Sequence, residues 1–397
     1  MTIIKRKYLD IMTRVIGTPD IKVITGVRRS GKSELLNLFI KHIKKNDSQA
    51  NIIHIDYSLS KFDDLRNYEA LNKHVESRFA EGKRNFILID EVQMCKSFER
   101  AINNFHAQKK YDIYITGSNA FMLSSDLATL FTGRTFEIEV YPFSYQEFLK
   151  YYKLENTEDN FDRYAREGGM PGSYEYSNLD DKYKYIEEIF STLLVRDIKK
   201  KHDIKDEQLL EKISSFLIDN ISNLTSILNV ANTLNSNKIA TTDKTVGNYV
   251  AYLCEAYLFY KINRYDIAGK KYLSSSNKYY LCDPSFRFAI HGTKNLDFGR
   301  VYENIVAIEL LRRGYEVYVG MLYEKEVDFV AVKRNEKIYI QVADNISDES
   351  TFEREVSPLL KIKDAYPKIV IARTRHEAYQ HEGIQIKNII DFLTESL

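Results

Sequence analysis

Residues 24 to 33 read ITGVRRSGKS, and Gly26 through Ser33 satisfy the spacing G-x-x-x-x-G-K-[ST] in full. The chemistry of that spacing is phosphate binding. Glycines let successive backbone N–H groups converge on phosphate oxygens, and a helix beginning at the far edge adds its partial positive charge. Lys32 would reach the β- and γ-phosphates, and Ser33 would ligate Mg²⁺. Gly26, Arg28, Arg29, Ser30, Gly31 and Glu34 complete the expected nucleotide contacts. At least one of the two loop arginines is expected to face solvent.

Three further stretches carry groups that phosphoryl transfer needs. FILIDE, 86–91, is an apolar strand ending in two carboxylates. Asp90 is expected to hold Mg²⁺ through water and Glu91 to polarise the attacking water. In YITGSNA, 114–120, Ser118 or Asn119 would orient that water. Arg134, in LFTGRTFEIEV, follows a glycine and precedes a strand. It could act as an arginine finger on a neighbouring subunit's γ-phosphate, stabilising transition-state charge. The plainer alternatives are an acidic loop, a strand-to-helix cap and a surface ion pair.

These groups require strands to hold them. Apolar runs recur at 21–25, 51–56, 85–90, 112–116 and 135–140, with helical patterns between most of them, such as 32–45 and 69–80. Continuous apolar strands alternating with helices predict a parallel sheet covered on both faces, an α/β fold over residues 1–145. From 146 the pattern turns helical. Helices are expected at 207–221, 225–235 and 243–263, the last capped by Thr242 or Asp243. Two alternating segments follow, and three helices before a hairpin outline a winged helix. From about 298 a helix ends near Gly314, a C-cap. Strands follow at 315–321, 326–333 and 337–343, then a helix near 351–365.

Length and composition agree with several domains. The chain has 397 residues, 44% hydrophobic and 28% charged, with a formal net charge of +1. That length exceeds one compact core, and the balance is ordinary for a globular protein. A global basic field for nucleic acid is excluded, so any such site must be a local patch. Cys95, Cys254 and Cys282 are far apart and form no CxxC pair. This argues against a zinc ribbon or disulfide framework and fits a reducing cytosol, so a cytoplasmic location is expected. No apolar run reaches the ~18 residues of a membrane span.

In this order, ITGVRRSGKS, ILIDEVQ, YITGSNA, GRTFEIEVYPFSYQEF and GGMPG resemble the prokaryotic AAA-type ATPases that carry a C-terminal domain of uncharacterised function. That family is built as a P-loop ATPase, a winged-helix segment and a module similar to the PD-(D/E)XK nucleases. The resemblance covers nearly the whole chain. It implies an ATPase core over 1–145, a helical lid or connector over 146–205, a winged helix over 206–297 and a nuclease-like domain over 298–397. It further implies that Lys32, Ser33, Asp90 and Glu91 bind and hydrolyse Mg·ATP, and it supports Arg134 as a finger. Gly168, Gly169 and Pro171 match the family's GG-x-P signature, for which the sequence offers no mechanism. Arg196, in LLVRDI, also matches and would sense phosphate.

The winged-helix reading offers 243–263 as a groove-reading helix and 264–282 as a wing. Lys244, Lys261, Arg264, Lys270 and Lys271 give it a local basic stripe suited to phosphates of double-stranded DNA. Residues 201–297 nevertheless hold twelve Lys+Arg against ten Asp+Glu, short of the footprint of a dedicated DNA binder. A protein partner, or a homo-oligomer, is the alternative. In the last domain Glu303 and Asp328 match nuclease-like positions. Gln341 stands where such sites carry a glutamate, and Ala343 where they carry the lysine that orients hydroxide. Asp344 could substitute as a ligand, but it points to the opposite face of the strand from Ala343. An ATP-dependent DNA nuclease is therefore the rival reading, and a domain that does not cut is the expectation.

Overall fold

The computed structural model describes residues 4–117, 131, 133–294, 296–374 and 376–395. Two compact units emerge, Ile3–Tyr141 with Lys200–Asp203, and Pro142–Lys199 with Ile204–Leu397.

In the first unit, strands β1 (Ile21–Thr25), β2 (Asn51–Asp56), β3 (Asn85–Asp90), β4 (Tyr111–Thr116) and β5 (Thr135–Glu139) form a parallel sheet in the order β2-β3-β4-β1-β5. Helices α1 (Lys7–Arg14), α2 (Lys32–Asn46), α3 (Tyr68–Glu76) and α4 (Phe98–Gln108) accompany it. β1 and β3 are buried along their whole length, as strands covered on both faces must be. Ile113 and Ile115 share one core with Leu71 and Val75 of α3 and Ile102 and Phe105 of α4. Tyr114, between them in sequence, turns to the other face, its ring 4.6 Å from that of Phe39 on α2. Register then fixes the functional edge. Ile24 pairs with Thr116 and Ile89 with Ile115, so Gly26, Asp90 and Thr116 emerge at the same end of the sheet.

In the second unit the three helices form as Glu207–Asp219, Ile227–Ser236 and Asp243–Glu255. The last is shorter than the pattern predicts. Tyr257 takes a positive φ of 54°, and the Leu258 N–H closes on the Leu253 carbonyl at 3.1 Å, which turns the chain out of the helix. Strands follow as β6 (Phe259–Asp266), β7 (Lys271–Leu281), β8 (Glu316–Leu322), β9 (Lys325–Lys333), β10 (Glu336–Ala343), β11 (Lys368–Ala372), β12 (Tyr379–His381) and β13 (Ile384–Asn388). They make one sheet in the order β12-β13-β11-β10-β9-β8-β6-β7. The hairpin expected as a wing is thus integral to the C-terminal sheet. β6 pairs parallel with β8 from Arg264–Val319 to Asp266–Met321, and Ile267 is buried in the same core as Val327 and Val330. The sheet crosses the line drawn at 297.

The GG-x-P signature acquires a structural reason. Gly168 has φ +68°, and a Cβ there would lie 1.9 Å from Asp283 Oδ1. A Cβ on Gly169 would lie 2.1 Å from the Phe143 carbonyl, which leaves room for glycine only. Asp283 accepts from the Gly169 N–H at 2.5 Å and from the Ser285 N–H at 3.0 Å. The Tyr174 hydroxyl caps the Gly168 carbonyl at 2.6 Å. A buried carboxylate therefore clamps segment 168–174 to segment 283–285. Arg196 lies on a π-helical stretch, Leu193–Lys199, that continues the helix Leu179–Thr192.

Burial pushes the Asp283 carboxyl up to about 6, against the lowering effect of its bonds from Ser285 and Gly169. The folded chain therefore holds this proton more tightly than the unfolded chain. The stability this adds is full below the unfolded value of 3.8 and is lost as pH rises through about 6. Asp283→Ala should destabilise the chain by about 1–3 kcal/mol for each buried donor left unpaired. Relative to Asp283→Asn, the wild type should gain about 1 kcal/mol between roughly pH 7 and pH 5 in denaturant unfolding. A difference that does not change with pH would contradict this assignment.

Candidate active site

The loop after β1 is built around a close approach. Gly26 has φ +127°, and a Cβ on it would lie 2.1 Å from the Val140 carbonyl oxygen. The Val140 N–H bonds to the Thr25 carbonyl at 2.9 Å, so the chain leaving β5 presses on the loop's first residue. Gly31 is the N-cap of α2 with φ 96°, a left-handed conformation that suits glycine. The loop closes with the Ser30 N–H on the Val27 carbonyl at 3.1 Å. Arg6 is buried and ties the loop down from below, donating to the Ser30 carbonyl at 3.0 Å and to the Tyr141 carbonyl at 2.8 Å.

The polar groups at this edge converge. Lys32 is buried, and its ammonium donates to the Gly26 carbonyl at 2.8 Å and the Val27 carbonyl at 3.0 Å, inside the loop's curve. The Ser30 hydroxyl is buried and finds no hydrogen-bond partner among the described residues. Asp90, buried at the end of β3, accepts from the hydroxyl of Thr116, and Ser33 is near enough to lower its carboxyl. Burial is the main cause that raises its carboxyl above the usual range. The Ser33 and Thr116 hydroxyls pull it back, and the Glu91 and Asp56 charges push it further up. The next residue, Glu91, has φ 55° and ψ 48°. Its N–H donates to Thr116 Oγ1 at 3.1 Å, and its carboxylate accepts from the Gln93 amide.

These residues fit a magnesium nucleotide. Mg²⁺ typically takes one or two protein oxygens and completes its shell with water and phosphate, and the Ser33–Asp90 pair offers such a half-site. Among the described residues no group of three His, Cys, Asp or Glu side chains stands ready to hold a metal alone. The loop amides and the start of the fifteen-residue helix α2 supply the anion-binding part.

The remaining expected residues divide. Arg28 is half-buried and Arg29 exposed, as expected for at least one of them, and Glu34 lies in the first turn of α2. Ser118 and Asn119 lie outside the described residues. Arg134 stands at the opposite edge. Thr135 pairs with Ile21, and the Ile21 N–H bonds to the Arg134 carbonyl at 2.9 Å. It is thus separated from the Gly26 edge by roughly 16 Å of strand, and its side chain is exposed. Thr116 stands directly before the glycine of YITGSNA, where an apolar strand pattern does not mark a threonine as a polar partner. Arg6 and Gln93 gave no signal, since their partners are set by the fold.

An AAA domain family model matches residues 18–149, and a model for a domain of unknown function (DUF8612) matches 158–297. A Haemophilus influenzae protein described as uncharacterized is 35% identical over 98% of this chain and 98% of its own length. The chain belongs to that protein's family. An uncharacterized protein of Methanocaldococcus jannaschii is 28% identical, covering 92% of this chain and 83% of its own. This chain thus joins an AAA domain match to the 158–297 match, within which the Gly169 N–H bonds to the Asp283 carboxylate. Among solved structures, AMPPCP-bound DnaA from Aquifex aeolicus is 15% identical, with a TM-score of 0.30 over 63% of this chain and 86% of that one. Pif1 helicase from Candida albicans is 14% identical, with a TM-score of 0.27 over 42% of this chain and 48% of that one. Likeness this slight carries no functional weight.

Thr116→Val removes the hydroxyl that serves both acidic residues while keeping the strand's shape. Turnover should fall by at least about tenfold, with a smaller change in nucleotide affinity, because the loss falls on the catalytic edge. Steady-state kinetics alongside calorimetric binding checks the split, and equal losses in both would contradict it.

Proposed function

We propose that the chain binds Mg·ATP at the Gly26–Ser33 loop, hydrolyses it, and uses the cycle to change contacts that its second unit makes with a partner. The observation that carries this reading is the Thr116 hydroxyl, which donates to Asp90 and accepts from the Glu91 N–H, beside the lysine curled into the Gly26–Ser33 loop. Lys32 would leave the two loop carbonyls for the β- and γ-phosphate oxygens and balance the charge that builds there. Glu91 would accept a proton from the attacking water, and Gln93 would hold the carboxylate in place. Mg²⁺, bound through Ser33 and Asp90, would neutralise phosphate charge. Arg134 would complete the site of an adjacent copy, which makes a homo-oligomer the working form.

For the partner we favour DNA, read as a winged-helix contact by Asp243–Glu255 and the β6–β7 hairpin. The support is the stripe of Lys244, Lys261, Arg264, Lys270 and Lys271. A protein partner is the second reading, favoured by the near-balanced charge of residues 201–297. We place the protein in the cytoplasm on its unpaired cysteines. The test of the catalytic reading uses purified full-length protein. Lys32→Ala should lose ATP binding, whereas Glu91→Gln should keep binding and lose at least about a hundredfold in turnover. Wild-type hydrolysis rates in both variants would show the site to be misassigned.

A further inference from the structure

A cavity of about 700 Å³ in the second unit gathers side chains that the sequence keeps far apart. Glu303 comes from the helix Phe298–Arg312, Asp328 from β9 and Gln341 from β10, so the three nuclease-like positions do meet. A fourth group joins them from the hairpin. Lys278 of β7 sends its side chain, 3% exposed, into their midst. Its ammonium lies 2.8 Å from Glu303 Oε1, 2.6 Å from Glu326 Oε1 and 3.7 Å from Asp328 Oδ1.

Several of the surrounding groups are already engaged. Glu303 Oε1 also accepts from the Tyr280 hydroxyl at 2.6 Å. Asp328 Oδ2 accepts from the Val342 N–H at 2.8 Å. Gln341 is used at both ends. Its carbonyl oxygen accepts from the Asp328 N–H at 2.7 Å, and its amide donates to Glu355 Oε2 at 2.9 Å. Ala343 lines the same cavity and contributes no polar group. A divalent ion of the kind the nuclease resemblance implies does not fit this set, because the ammonium stands among the carboxylates that would have to bind it. Among the described residues no trio of acidic, histidine or cysteine side chains is left to hold a metal.

Electrostatics explains why the lysine stays. Carboxylates packed together away from water need a cation nearby, and removing it leaves uncompensated buried charge. An ammonium offers three N–H donors, which matches the three carboxylates it faces. Burial works against the charge on Lys278, but Glu303, Asp328 and Glu326 together hold its ammonium well above the ordinary lysine range.

We propose that Lys278 is the resident cation of this cavity, filling the place between Glu303 and Asp328 that a divalent ion would otherwise take. The C-terminal sheet then carries a closed ion cluster instead of a metal-activated water. The hairpin that supplies Lys278 is thereby fastened to the helix that supplies Glu303, which is why β6 and β7 belong to this sheet.

The test uses nucleotide-free full-length protein, with Mn²⁺ as the probe, read by electron paramagnetic resonance and by thermal unfolding. Wild type should show no bound Mn²⁺ that Asp328→Asn removes. Lys278→Met should unfold several degrees lower, take up Mn²⁺ and regain stability with it, and the double variant Lys278→Met/Asp328→Asn should lose that binding. Wild-type Mn²⁺ binding that depends on Asp328 would overturn the proposal, as would a folded Lys278→Met protein that takes up no Mn²⁺. If Lys278→Met does not fold, Lys278→Met/Glu303→Gln/Asp328→Asn, which removes the stranded charges with their counter-ion, should fold again. Failure of that triple variant would also overturn the proposal.

Discussion

The nucleotide edge depends on how one buried carboxylate is satisfied. Asp90 ends a strand buried along its length, where an isolated charge would be costly. The Thr116 hydroxyl, from the end of β4, donates to it, and the Ser33 hydroxyl in the first turn of α2 lowers its carboxyl in the same direction. Thr116 comes from β4, the strand beside β3, and Ser33 from the helix that follows the loop. The ends of β3 and β4 are therefore held in one arrangement by the need to compensate a single group. The same threonine accepts from the Glu91 N–H, where the backbone turns through a left-handed conformation.

The second unit follows a similar rule with different chemistry. Asp283 and the cluster around Lys278 are buried charges whose partners come from distant segments. In each case the ionic or hydrogen-bonded contact joins pieces that apolar packing alone would align only loosely. The Gly168–Gly169 pair is small because a carboxylate occupies the space of one side chain and a carbonyl the space of the other. The eight-stranded sheet includes the hairpin because Ile267 is buried in its core and Lys278 in its cavity.

Local signals in the sequence were the readable ones. The G-x-x-x-x-G-K-S spacing, the carboxylate pair after FILI and the five apolar runs each lie within a few residues; the five runs are the five parallel strands, and a helix starts at Lys32. Glu303, Asp328 and Gln341 were also legible as a set, and they line one cavity. What the sequence hid was long-range. Lys278 stands twenty-five residues before Glu303 on a segment read as a wing, and nothing local marks it as a partner of three acids. Thr116 and Arg6 act through contacts that exist only once the sheet has formed. The helix at 243 ran past its real end in the reading because its apolar stripe continues into β6, where the same residues serve a strand.

The most direct test of the account concerns Asp90. Nucleotide affinity of the full-length protein would be measured by calorimetry with Mg²⁺ and with EDTA, for wild type and for Asp90→Asn. Mg²⁺ should strengthen wild-type binding by about tenfold or more, and the variant should lose this gain while still binding nucleotide in EDTA. An Asp90→Asn protein that keeps the full Mg²⁺-dependent gain would contradict it.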